Sequence, residues 1–339
     1  MSRALRNAIA PMLLLVTLAL LIGARSGLLP GTSKAAPPPW SVAPAAQAGF
    51  ELGVATDPLA RNYIRPWRPD DLGSVNAFEQ GARRHVDVVM FYADWEHSRV
   101  SAEQLRAIDR RGSIPEITWE PWDASRGIGK LQPRYRLAHI IHGRFDDYIR
   151  SWAEGLARYG KPVRLRFAQE MNGFWYPWSE TAKGNRRGEF VQAWRHVHDL
   201  FTAAGATNVE WVWTPVLGAP RHYFPGERFV DRLGLTCLNG GPELSARGWR
   251  RLERICGPSV ADLHAMAPGL PIELSELSSS EHGGSKADWI ADAARYMKAH
   301  PEVETAVWFN LDKETDWRIQ SSLASQRAAA LAFGQPARR

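Results

Sequence analysis

The chain has 339 residues, of which 45% are hydrophobic and 23% charged, proportions ordinary for a soluble globular protein with a sizeable core. Its formal net charge of +6 suggests a polyanionic partner, yet Arg3, Arg6, Arg25 and Lys34 supply four of those charges in the first 50 residues, which hold no acid. The remaining charge, about +2, is too weak for a surface that tracks phosphates, and nucleic acid is excluded as a partner.

Arg3 and Arg6 precede an apolar run, Met12 to Ile22 (MLLLVTLALLI), followed by the small residues Gly23 and Ala24. Residues 1–25 read as a secretory signal peptide. A membrane anchor is the second reading, because no clean cleavage tripeptide stands out, although the run is shorter than the ~20 residues that span a bilayer. Either way the body of the protein is exported, to the medium, the periplasm or the cell surface. Residues 26–48, with Pro37-Pro38-Pro39, read as a Pro/Ala-rich linker.

Residues 49–335 then alternate short β-type runs with helical patterns. Strands are predicted at 51–55, 86–92, 114–119, 163–169, 209–214, 229–235, 272–275 and 305–310. Phe145, Tyr148, Ile149, Trp152, Leu156 and Tyr159 fall on one helical face, closed by Gly160 and Pro162. Phe190, Trp194, Val197 and Phe201 repeat the spacing, and Ser285 with Asp288 resembles a capping box ahead of Trp289, Ile290, Ala293 and Met297. Strands that alternate with helices pair in parallel through right-handed crossovers. Eight such units predict a single α/β domain, a (β/α)8 TIM barrel. No glycine-rich phosphate loop follows the first strand, which weakens a dinucleotide-binding alternative. No Cys/His spacing suits a metal. Cys237 and Cys256 are either a disulfide or two separate buried thiols, and both readings stay open.

In a barrel the reactive groups sit at the carboxyl ends of the strands. Glu170 ends the fourth strand and Glu276 the seventh, three steps apart and therefore facing across the mouth. Paired carboxyls there suit glycoside hydrolysis, one protonating the leaving oxygen and the other attacking the anomeric carbon. Each acid alone could instead serve an ion pair, and Arg166 shares a strand with Glu170. Glu273 lies three residues before Glu276, so strict alternation turns it to the opposite face, toward helices or solvent. The chain also holds 15 tryptophans, with Trp95, Trp119, Trp122, Trp175, Trp178, Trp213, Trp308 and Trp317 near strand ends. Core packing explains some of them, and a sugar-binding cleft is the expectation for the series.

The string RFAQEMNGFWYPW (Arg166–Trp178) resembles the acid/base motif of glycoside hydrolase family 26, which includes β-mannanases and β-1,3-1,4-glucanases. The resemblance continues in ITWEPW (Ile117–Trp122), AWRHV (Ala193–Val197), NVEWVWTP (Asn208–Pro215), YFPGERFVDRLGL (Tyr223–Leu235) and VWFNLDKETDWRI (Val307–Ile319). It implies Glu170 as acid/base and Glu276 as nucleophile. The expected sugar contacts are Trp119, Gln169, Asn172, Trp175, Trp178, Trp308 and Trp317. Three positions depart from the family pattern. Gln169 stands where a His is usual, Thr236 where an Asp is expected, and Leu238 where a Tyr that hydrogen-bonds the nucleophile is expected. The implied activity is a retaining endo-β-glycosidase acting on β-mannan, β-1,3-1,4-glucan or a bacterial exopolysaccharide, without metal or organic cofactor. The alternative is a catalytically impaired polysaccharide-binding protein of a surface or exopolysaccharide assembly system.

Overall fold

The computed structural model describes residues 49–334. The segments read as signal or anchor and as linker, together with residue 335, lie outside the described residues. Eight strands form a closed parallel barrel in sequential order: β1 (Glu51–Thr56), β2 (Val88–Asp94), β3 (Ile114–Glu120), β4 (Val163–Phe167), β5 (Val209–Trp213), β6 (Arg232–Asn239), β7 (Ile272–Ser279) and β8 (Val303–Asn310). β8 closes the cylinder against β1 over six residue pairs. The outer layer holds helices Gly73–Ala82, Ala102–Asp109, Asp146–Tyr159, Glu189–Ala203, Leu252–Met266, Lys286–Ala299 and Leu323–Phe333. The link from β5 to β6 carries only short 3₁₀ turns at Arg221–Tyr223 and Glu227–Phe229. No helix among the described residues is long and apolar enough to cross a membrane.

The expected helix stops and starts have a local cause. Gly160 takes the left-handed conformation (φ 72°) at the end of Asp146–Tyr159, a turn that glycine adopts without a Cβ penalty. Ser285 accepts a hydrogen bond from Asp288 N to open the helix Lys286–Ala299. All eight expected strands form, with shifted ends. β4 stops at Phe167 because Ala168 turns into the left-handed region (φ 46°). β6 begins later than expected because Glu227–Phe229 coils into a turn.

Two-residue alternation sorts the side chains. Outward positions of β2 to β5, including Phe91, Trp119, Phe167, Trp211 and Trp213, pack in the main core with the helices. Trp119 touches Trp95, Trp152 and Phe201 at ring centroid distances of 4.9, 5.5 and 5.7 Å. Rings at these separations each contribute roughly 1 kcal/mol beyond their buried area. The inner face is different. Its upper part holds a small apolar cluster of Ala55, Met90, Val307, Phe309, Leu311 and Trp317.

Below that cluster the interior is charged. Arg164 of β4 reaches Glu51 of β1 at 2.6 Å, Glu210 of β5 at 3.3 Å and Glu273 of β7 at 3.5 Å. Arg232 of β6 shares Glu210 at 3.2 Å, and Thr305 of β8 donates to Glu51 at 2.6 Å. Burial and the Glu273 carboxylate lift Glu116 of β3 well above the usual carboxylate range. Side chains from so many strands meet only on the barrel axis, where branched apolar residues are more usual. Glu273 therefore corrects the expectation from alternation: it is fully buried inside the barrel. The cause is a bulge. β7 pairs Leu274 with Leu235 and then Glu276 with Thr236, so Ser275 is an extra residue in the ladder. Ser275 donates to Glu273 at 2.8 Å, and the extra residue resets the alternation so that Glu273, Ser275 and Glu276 all turn inward.

Cys237 of β6 and Cys256 of the helix Leu252–Met266 form a disulfide, which decides between the two readings of the pair. Cys237 faces outward between Thr236 and Leu238, and the bond pins to its helix the stretch of strand that carries two of the departures from the family pattern.

Candidate active site

Glu170 follows β4 in the left-handed region (φ 57°). Such a conformation costs a non-glycine residue on the order of 1 kcal/mol and persists where surrounding bonds enforce it. Here its N–H donates to Thr214 O at 2.7 Å and its C=O accepts from Gly173 N at 2.9 Å. With Ala168 also left-handed, the chain turns sharply at the mouth of the barrel and presents the carboxyl there. Trp175 Nε1 donates to Glu170 Oε2 at 2.9 Å. Burial, and next the charge of Glu276, raise the pKa of Glu170; Arg166 works against both.

Glu276 is 8% exposed. Its Oε1 accepts from Arg166 Nη1 at 2.8 Å and from Tyr92 Oη at 3.0 Å. Both donors use the same oxygen, and no described residue donates to Oε2. Arg166 comes from β4, Tyr92 from β2 and Glu276 from β7, so three strands converge on one carboxyl. Arg166 thus pairs across the barrel with Glu276. Burial works against its charge, but Glu276 and further acids outweigh this and raise its pKa. The two carboxyls therefore have different surroundings: a buried guanidinium lies against Glu276, while burial and the neighbouring charge raise Glu170.

A third carboxyl, Glu120 at the end of β3, shares the mouth. It is 5% exposed and accepts from Gln169 Nε2 at 2.7 Å. Burial pushes it up to about 7. Gln169, at the position where the family pattern has His, is 1% exposed and turns toward Glu120, with its Oε1 unpartnered. Around these groups the half-buried Trp175 and Tyr176 and the 47% exposed Phe174 present rings.

The other expected sugar contacts divide. Trp119, Trp178 and Trp308 are completely buried, which corrects their assignment to the cleft. Trp119 and Trp308 stand at outward positions, packed among helices; Trp308 meets Trp289 at 6.2 Å. Trp178 stacks beneath Tyr176 at 4.2 Å and donates to Gln169 O at 2.7 Å, so it supports the mouth from behind. Asn172 spends its amide on the loop after β5, donating to Leu217 O at 3.1 Å and accepting from Val216 N at 2.8 Å. Trp317 is 2% exposed inside the apolar cluster on the axis. Tyr92, Glu120 and Phe174 were not anticipated. Glu120 was readable, because it is the last residue of β3, at the carboxyl end of a strand where reactive groups of a barrel are sought. The Tyr92 contact joins residues 184 apart and leaves no local trace.

An eight-stranded parallel barrel whose mouth holds two electrostatically distinct glutamates has the layout of the barrel glycoside hydrolases. The chain belongs to glycosyl hydrolase family 26, whose model matches residues 135–277. It is 33% identical over 277 residues to Endoglucanase H of Acetivibrio thermocellus, covering 76% of this chain and 29% of that protein. It is 22% identical over 205 residues to a β-1,3-xylanase of a Vibrio species, covering 58% of this chain and 41% of that one. The chain thus spans less than half the length of either curated relative. Its fold is similar to that of a family 26 β-mannanase from Bacteroides ovatus, with a TM-score of 0.65 and 17% identity over 85% of this chain and 89% of the other.

Proposed function

We propose that the protein is an exported, retaining endo-β-glycanase that cleaves an extracellular polysaccharide through a covalent glycosyl-enzyme intermediate. The observation that carries the reading is the contrast between the two mouth carboxyls: Arg166 lies against Glu276 at 2.8 Å, whereas Glu170 is raised by burial and by that neighbour. Glu276 Oε2, the oxygen without a donor among the described residues, attacks the anomeric carbon. The bond to the leaving sugar breaks as Glu170 gives its proton to the departing oxygen. In the second half, Glu170 takes a proton from water, the hydroxide attacks the same carbon, and the ester to Glu276 is released as a carboxylate. The half-buried Trp175 and Tyr176 and the exposed Phe174 support a sugar platform beside the acids. The basic, apolar amino-terminal run supports export, by a cleaved signal or an anchor.

Relatives named for glucan, β-1,3-xylan and mannan leave the polymer to experiment. Release of reducing ends is measured from mannans, mixed-linkage β-glucans, β-1,3-xylan and bacterial exopolysaccharides, with wild type and Glu276→Ala side by side. Turnover of one polymer that vanishes in the variant is the expected result and names the substrate. Equal turnover by the variant overturns the nucleophile assignment. Saturable binding to a polymer without new reducing ends replaces the hydrolase reading with that of a polysaccharide-binding protein.

A further inference from the structure

We propose that Tyr92 of β2 is the positioning residue for Glu276, taking over from a different strand the hydrogen bond that Leu238 on β6 is unable to make. The inference rests on the reading of Glu276 as nucleophile. Three observations meet here. The Tyr92 hydroxyl donates to Glu276 Oε1 at 3.0 Å. Leu238 packs against the same inner apolar cluster as Tyr92, and its side chain has no donor to offer. Arg166 holds the same Oε1 at 2.8 Å, so the phenol and the guanidinium grip one oxygen from two strands and leave Oε2 toward the mouth. Burial, and next the Glu276 charge, keep the phenol well above its ordinary pKa, so the hydroxyl keeps its proton and can donate where an ordinary phenol would ionise. Two donors on one oxygen fix the rotation of the carboxyl plane, and that rotation decides whether Oε2 meets the anomeric carbon in line.

Loss of a hydrogen bond to a charged group predicts a fall in kcat of about 10- to 100-fold in Tyr92→Phe, with KM within about threefold of wild type. Tyr92→Phe combined with Leu238→Tyr returns the donor from β6 and recovers at least part of the loss. Leu238→Tyr alone serves as the folding control.

A second readout needs no substrate. The carboxylate band of Glu276, isolated as the infrared difference between wild type and Glu276→Gln, shifts in Tyr92→Phe and moves back in the double variant. Unchanged kcat with an unmoved band in folded Tyr92→Phe overturns the proposal, as does a kcat loss that the double variant leaves untouched while the band stays in place. Should wild type cleave no polymer, the hydrolase reading fails on its own, and the infrared comparison still decides whether Tyr92 holds Glu276.

Discussion

Replacing Glu120 by Gln removes a carboxyl that the fold holds at a disadvantage, and the stability effect has a defined pH signature. Burial lifts Glu120 from the ordinary 4.5 to about 7. Below about pH 4.5 the group is protonated in folded and unfolded chains alike, and its ionisation costs nothing. Between 4.5 and 7 the folded protein keeps a proton that the unfolded chain has released, so stability falls as pH rises through this window. Above pH 7 both states are ionised and the full penalty stands, about 3 kcal/mol from the size of the displacement. Glutamine keeps an acceptor for Gln169 Nε2, now 2.7 Å from Glu120 Oε1, and carries no charge to bury. Glu120→Gln is therefore expected to gain up to about 3 kcal/mol at pH 8 relative to its effect at pH 4.5, or on the order of 5 °C in Tm. Urea unfolding of wild type and variant at the two pH values measures the difference directly. A gain of equal size at both, or one larger at pH 4.5, would refute a desolvated Glu120.

Glu170→Ala is expected to lose about 100-fold or more in kcat on polysaccharide and to retain far more activity on aryl glycosides with acidic leaving groups, which need no protonation; equal losses on both, measured by steady-state kinetics, argue against the acid role. Replacing Cys237 and Cys256 together by Ser opens a loop with a sequence separation of 19 and is expected to cost about 3 kcal/mol in urea unfolding under oxidising conditions. An unchanged midpoint there indicates that the helix Leu252–Met266 is held to β6 by packing alone.

The barrel was legible because parallel strands buried on both faces read as short apolar runs between helical patterns. Their ends were less so. Nothing in RFAQE announces that Ala168 and Glu170 turn left-handed, since neither residue type favours φ > 0. Glu170 and Glu276 could be placed because the expected fourth and seventh strands ended beside them, although β7 itself runs on to Ser279. Two-residue parity sorts the tryptophans. Trp119 alternates with Glu116, Thr118 and Glu120, so once those acids face the axis the indole faces the helices. Counting tryptophans near strand ends without that step overstated the cleft. Glu273 fails for the opposite reason, because alternation is reliable only while the ladder is regular and a single extra residue in β7 breaks it. Tyr92 was out of reach: its role depends on which side chain of a distant strand reaches one carboxylate oxygen, and that is a property of the closed barrel.

The bulge at Ser275 gives β7 a phase of its own. Upstream of it the strand is indexed to the ionic layer at the closed end of the barrel, and downstream it is indexed to the open end. One residue of offset lets the same strand serve both. Were the ladder regular with Ser275 kept as an ordinary paired residue, Glu276 would shift by one position and its carboxyl would turn into the helical shell, although every functional side chain would still be present in the sequence. A chimera that borrows β7 from another barrel must therefore match the offset as well as the glutamate.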